Sequence, residues 1–271
     1  MRSLAWIGGS IGSVFLHARR QTVLESLSYL RPELTTAQRR RVARRTFANF
    51  AAAAIDLLRV PTASRQELVT LVSFQGLEHV DAALARGRGA IIVTAHLGPY
   101  ELGGACLAAR GYPTSAVVEN LAPEVMKALA TFRQATGMQL ISLKHAVAGT
   151  LRALSENSVV LLVADRVVGR GHTGVELPFA GGVRSVPTGP ASFAISSGAP
   201  IIVGHVGRTT KSADEARYAV VFEPPIFAEA GSEAEKLQLT RRVTARLAEI
   251  ISEHAEEWYV FQPQWRQTRG S

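Results

Sequence analysis

Two short apolar runs constrain this chain more than any other feature: GAIIVT at Gly89–Thr94 and SVVLLV at Ser158–Val163. Each is too short for a buried helix, is rich in branched residues and is bounded by turn formers, so each reads as a strand covered on both faces. The cover comes from what lies between and around them. Leu102–Ala109, Pro123–Ala135, Ala146–Leu154 and Pro190–Ile195 read as helices, and Thr114–Val118, Ile201–Val206 and Tyr218–Phe222 as further strands. A last helix over Glu233–His254 carries Leu239, Val243, Leu247 and Ile250 at helical spacing. This alternation, which starts near residue 73, predicts an α/β fold with a largely parallel central sheet flanked by helices. The expected organisation is a helical, basic portion over residues 1–65, continuous with an α/β body over 66–271.

The charge is as unevenly placed as the strands are regular. Residues 1–65 hold 11 arginines against Glu25, Glu33 and Asp56, which accounts for the whole net charge of +8. A basic zone on a neutral body attracts a polyanion, either nucleic acid or an anionic lipid surface. With aromatic residues at 7% and no basic-aromatic recognition block, nucleic acid is disfavoured. The first 20 residues favour lipid. Leu4–Ile7 and Val14–Leu16 are apolar but interrupted by Gly8, Gly9 and Gly12, and Arg19 and Arg20 follow. That reads as an interfacial segment with Trp6 and Phe15 in the acyl boundary and Arg19 and Arg20 at the headgroups. The alternative is a helix packed on the body. Arg39–Arg41, Arg44 and Arg45 lie on the next helix, whose other face carries Val42, Phe47, Phe50, Ile55 and Leu58. No run approaches the roughly 18 apolar residues of a spanning helix. The single cysteine, Cys106, rules out a disulfide scaffold and a cysteine-based zinc site, and the histidine spacings match no zinc motif.

Ligands of open α/β sheets gather at the carboxyl ends of the strands. The first buried strand runs into His96-Leu-Gly-Pro-Tyr-Glu101. Pro99 suits the first position of a helix, which puts His96 in the strand-to-helix turn and Glu101 in the first helical turn, where the dipole favours an ionised carboxylate. A carboxylate beside an imidazole is the arrangement of a general base. The second buried strand runs into Asp165-Arg166, a candidate substrate contact or simply an ion pair closing a turn. Beyond it, Arg184 and the helix start at Thr188 and Gly189 make either a site for a phosphate or thioester oxygen or an ordinary helix cap. No Gly-x-Ser-x-Gly elbow argues for a serine nucleophile, and no Walker or dinucleotide fingerprint argues for a nucleotide cofactor.

His96-Leu-Gly-Pro-Tyr-Glu101 resembles the His-x4-Asp/Glu motif of glycerolipid acyltransferases, in the form found in bacterial lipid A late acyltransferases and phosphatidylinositol mannoside acyltransferases. Three further blocks resemble that family in order and spacing: Ala164-Asp165-Arg166 with Gly174-Val175-Glu176 and Pro178-Phe179-Ala180-Gly181, then Val186–Ala191, then Glu257-Trp258-Tyr259-Val260-Phe261-Gln262-Pro263-Gln264-Trp265. The second and last are closer to the mannoside branch, which departs from this chain in having Asp at the position of Glu101. The resemblance implies transfer of a fatty acyl chain from acyl-CoA to a glycolipid hydroxyl, a mannose of a phosphatidylinositol mannoside in the nearer branch, with no cofactor and no metal. It also implies a peripheral protein at the cytoplasmic face of the inner membrane. His96 is the expected base, and its orienting partner is Glu101 by local spacing or Glu176 by resemblance. Arg166 and the backbone near Gly98 are the expected oxyanion donors, and the aromatic C-terminal block is expected to be core. The alternatives are a lipid A or other glycolipid or phospholipid acyltransferase, and a non-catalytic membrane-binding protein that retains the fold.

Overall fold

A computed structural model describes residues 17–119, 131, 135–168, 174–209, 216–229 and 231–265. Two helices lead, α1 (His17–Leu30) and α2 (Thr36–Leu58), and a short α3 (Arg65–Leu71) follows. Thr35 and Ser64 start α2 and α3 with capping boxes closed by Gln38 and Glu67. The body then runs β1 (Val72–Gln75), α4 (Leu77–Leu84), β2 (Ala90–Thr94), α5 (Tyr100–Ala109), β3 (Thr114–Val118), β4 (Gln139–Ser142), α6 (Ala146–Ser155) and β5 (Val159–Val163). It continues with the hairpin β6 (Val175–Phe179) and β7 (Gly182–Val186), α7 (Gly189–Ser197), β8 (Ile201–Arg208), β9 (Tyr218–Phe222) and α8 (Glu233–Glu253).

Seven strands form one sheet in the order β1-β9-β8-β2-β5-β3-β4, parallel throughout except for the antiparallel pair β8–β9. The strand with the least polar sequence, β2, takes the centre and is buried at all five positions. Ile91 and Val93 face a core shared with α1, α2, α6, α7 and α8, whereas Ala90 and Ile92 face a second core under α3, α4 and α5. The expected α/β class and its strands therefore hold, and Thr114–Val118 and Tyr218–Phe222 keep their expected bounds. Strands β1 and β4 were not anticipated, because each is four residues long and carries too little alternation to signal a strand. The hairpin β6–β7 lay in a stretch read as a glycine-rich connection. The expected helix over Pro123–Ala135 falls mostly outside the described residues, as do Trp6 and Phe15.

The N-terminal helices are joined to the body through the end of the chain. Tyr29 of α1 stacks on Trp265 with ring centroids 4.8 Å apart, and its carbonyl accepts from Gly181 N at 3.0 Å. On α2, Phe47 is buried against Phe261, but Phe50 is 43% exposed and Leu58 78% exposed, so the apolar face expected of that helix is covered only in part. No helix among the described residues is long and apolar enough to cross a membrane. Replacing Trp265 by Ala removes the stack and leaves a cavity beside Arg184. The expected cost is about 3–5 kcal/mol, read as a lowered Tm in thermal unfolding.

Candidate active site

Parallel pairing of β2 with β5 aligns Thr94 with Val163. Two residues further along each strand stand His96 and Asp165, side by side at the carboxyl edge of the sheet. The turn that carries His96 is held on both flanks. Ala164 N donates to Thr94 O at 2.9 Å, and the C-terminal segment runs antiparallel to it, with Gly98 N donating to Glu257 O and Tyr259 N to His96 O, each at 2.8 Å. Gly98 has φ +57°, and a Cβ there would stand 2.3 Å from Val206 O, so the turn admits glycine alone. Tyr100 then opens α5, with Pro99 at its cap rather than inside the first turn.

Asp165 is completely buried and accepts three hydrogen bonds: His96 Nδ1 at 2.7 Å, His96 N at 3.2 Å and Trp258 Nε1 at 2.7 Å. Burial by itself pushes its carboxyl upward, but the His96 ring and the donors outweigh that, so the group sits below the usual carboxylate range. An ionised acceptor at Nδ1 keeps the imidazole proton there and leaves Nε2 as the basic nitrogen. Behind this pair lies Arg184, 1% exposed, which donates through Nη2 to Asp165 O at 2.6 Å and to Gln264 Oε1 at 2.8 Å. Its guanidinium is enclosed by the rings of Phe179, Trp258 and Trp265 at 4.4–5.1 Å. Burial lowers its pKa to about 10, an effect the Asp165 charge opposes.

His96, with a side-chain exposure of 17%, stands at the mouth of a cavity of about 730 Å³ between α5 and the sheet. The rim is polar, with Glu119, Arg166 and Thr188, and the interior is mostly apolar apart from Thr94, Glu101 and His205. One row of side chains across four strands, Ile92, Leu161, Ala116 and Leu140, forms the floor. The roof is α5, where Gly103 and Gly104 expose backbone to the cavity. Thr94 Oγ1 is buried on the wall with no hydrogen-bond partner among the described residues. The volume suits a small-molecule ligand, for which roughly 300–1,000 Å³ is usual, and the shape of the lining suits a long apolar group with a polar end.

Several expectations need revision against this geometry. Neither Glu101 nor Glu176 holds His96: Asp165, expected as a substrate contact, does. Glu101 lines the cavity as expected, but burial pushes its carboxyl up against the opposing effects of Tyr100, its own helix N-terminus and His96, so desolvation overrides the dipole that was expected to keep it ionised. Glu176 lies exposed on β6 opposite Ser185, away from the cavity lining, because the hairpin alternates and Leu177 takes the inward face. Arg184 takes an inward position of β7 and reaches no ligand space. Gly98 N is committed to Glu257 O, which removes it as an oxyanion donor. Arg166 closes no turn with Asp165; it pairs with Glu119 across the cavity rim. Thr188 and Gly189 do line the cavity. Trp258 and Glu119 were missed as site residues. The signal for Trp258 was its place in a block treated as core, and it is both core and hydrogen-bond donor.

The chain matches, over residues 1–267, a family described as bacterial lipid A biosynthesis acyltransferase. It belongs to that family. It is 30% identical over 217 residues to the phosphatidylinositol mannoside acyltransferase of Mycobacterium tuberculosis, in each of two strains, covering 78% of this chain and 66% of that protein. Identity to the phosphatidylinositol mannoside acyltransferase of Mycolicibacterium smegmatis is 25% over 227 residues, covering 82% of this chain and 71% of that protein. The matched region thus spans somewhat less than two thirds of the length of the Mycobacterium tuberculosis relatives.

The raised Glu101 carboxyl has a signature in stability. A group whose folded pKa lies above its unfolded value stabilises the fold fully below the unfolded pKa and loses that contribution as pH rises through the folded one. The Tm of Glu101→Gln is therefore expected to gain on wild type between the ordinary carboxylate pKa and the raised value, then run parallel to it. A Tm difference that stays constant with pH would contradict the burial argument.

Proposed function

We propose that this chain is a membrane-associated acyltransferase that moves a fatty acyl group from acyl-CoA to a hydroxyl of a glycolipid, with His96 as general base and no covalent acyl-enzyme. One observation carries the reading: a histidine with an ionised, buried partner stands at the polar mouth of a deep apolar cavity. The acyl chain would lie in the cavity and the thioester carbonyl would stop at the mouth beside His96. Nε2 takes the proton of the acceptor hydroxyl as its oxygen attacks the carbonyl carbon. The tetrahedral oxyanion then collapses, the C–S bond breaks, and the departing thiolate takes the proton back from Nε2. Asp165 keeps the ring in its tautomer and stabilises the imidazolium between those two transfers. Thr94 Oγ1 and Arg166, which line the same cavity as His96, would be the donors to the developing charge.

The names of the curated relatives support a mannose of a phosphatidylinositol mannoside as the acceptor, and the family description keeps a lipid A-type acceptor as the second reading. The excess of arginine in residues 1–65 supports work at an anionic surface, which for an acyl-CoA user is the cytoplasmic face of the inner membrane.

The first test is release of free thiol from palmitoyl-CoA with and without a mannosylated phosphatidylinositol. Acceptor-stimulated release is expected in wild type and is expected to fall by on the order of 10²–10⁴ in His96→Ala and in Asp165→Asn, in kcat more than in KM. Release that survives in His96→Ala would remove it as the base. Release indifferent to the mannoside but stimulated by a lipid A precursor would move the acceptor to the second reading. Chain length offers a separate check. A Cβ at Gly104 would stand 2.4 Å from Leu161 Cδ1 and 3.4 Å from Met138 Sδ, so Gly104→Ala drives Leu161 into the cavity. Each methylene no longer buried costs about 0.8 kcal/mol, so the kcat/KM preference is expected to move from palmitoyl- toward dodecanoyl-CoA.

A further inference from the structure

A second concavity, of about 370 Å³, lies at the other end of the basic region, between the start of α1 and the start of α2. His17, Arg20 and Gln21 line it from α1, and Thr36, Arg39 and Arg40 from α2. Among the described residues, no carboxylate lines it. The nearest acid in sequence to Arg39, Glu33, is engaged by Arg31 in the loop between the helices. Arg39 spends one donor on the chain itself, Nη2 to Pro32 O at 2.8 Å, which fixes its stem against the loop. The Nε atoms of Arg20 and Arg39 are buried and have no hydrogen-bond partner among the described residues.

Three guanidiniums line one hollow, and the carboxylate that acts on Arg39, Glu33, is bonded to Arg31 outside the lining, so the cations repel one another and buried N–H donors without acceptors add a desolvation cost. A group with several acceptor oxygens and negative charge relieves both at once. Guanidinium donors match phosphate oxygens in geometry as well as in charge. We propose that this concavity is a binding site for a phosphate group. Its position gives it a use. α2 runs from Thr36, at the hollow, to Asn49, which donates to Glu256 O beside the segment that flanks His96. Thirteen residues of helix separate the two by about 20 Å. A lipid phosphate seated in the hollow would hold the N-terminal helices on the membrane with the cavity mouth a fixed distance away, whereas a free phosphate would only brace the two helices. The site stands on its own geometry and does not require the transfer chemistry proposed above.

The test uses the whole chain and charge-matched variants. Arg20→Gln/Arg39→Gln removes the two unpaired donors, and Arg20→Gln/Arg40→Gln does so in part while keeping the Arg39–Pro32 bond. Arg41→Gln/Arg45→Gln removes the same charge from exposed positions of α2 outside the hollow. Sedimentation with phosphatidylcholine vesicles, with and without phosphatidylglycerol, reads the lipid source. Thermal shift with inorganic phosphate against chloride at matched ionic strength reads the free source. A lipid-phosphate site predicts that phosphatidylglycerol-dependent binding falls about tenfold in both hollow variants and no more than about twofold in the control. A free-phosphate site predicts a saturable Tm rise in wild type and control that both hollow variants lack, with equal vesicle binding throughout. Equal losses in all three variants without a phosphate-specific shift would show diffuse surface charge and overturn the site, as would no response in either arm. Thiol release measured on the same preparations reports separately on the transfer reading.

Discussion

The in-register parallel pairing of β2 with β5 is the constraint on which the rest of this structure depends. It places Thr94 beside Val163, and so His96 beside Asp165, at the one edge of the sheet where both chains leave the ladder. A fully buried carboxylate is expensive unless its acceptors are filled. Here the filling is done by the histidine ring, the histidine amide and the Trp258 indole, so the contacts that stabilise the carboxylate also hold the ring in place. Shifting either strand by one residue would turn every side chain to the opposite face, and the two apolar cores that fix the register are therefore also what aligns the pair.

The C-terminal segment completes that arrangement from outside the sheet. Residues 257–259 flank the His96 turn, Trp258 reaches Asp165, and Trp265 and Gln264 hold Arg184 against the Asp165 carbonyl. Trp265 in turn receives Tyr29 of α1, so the N-terminal helices, the hairpin β6–β7 and the end of the chain meet around one buried cation. A guanidinium surrounded by three rings is satisfied partly by their faces, which is why Arg184 tolerates burial with one nitrogen hydrogen-bonded among the described residues. The sheet edge that carries His96 and Asp165 and the basic N-terminal helices are thus parts of one packed unit.

The cavity has a different origin. Where α5 crosses the sheet it does so on Gly103 and Gly104, so close that a Cβ would stand 2.7 Å from a Val206 methyl at the first and 2.4 Å from a Leu161 methyl at the second, and both glycines line the cavity. The lining is mostly apolar because much of it belongs to the second core, and the rim is polar because strands end there. The glycines let helix and sheet approach closely at those two points, and the mostly apolar remainder of the lining is the structural basis for reading a long apolar ligand.

How much of this was legible beforehand follows from the range over which each feature is determined. Short, branched apolar runs between turn formers specify strands locally, so the central strands, most of the helices between them and the strand-end positions of His96, Asp165 and Arg166 could be read from the residues in order. The lopsided arginine content was equally plain. What the sequence could not determine was which partners these groups would find. Glu101 is five residues from His96 and looked like its mate, yet the first turn of α5 carries it into the cavity wall, while Asp165, 69 residues away, arrives through strand register. Glu176 and Arg184 exchanged their expected roles with solvent and core because the alternation of a hairpin decides which side of β6 and β7 faces in. Spacing along the chain predicts the neighbours of a residue within an element; contacts between elements depend on register and packing, and those exist only once the whole sheet has formed.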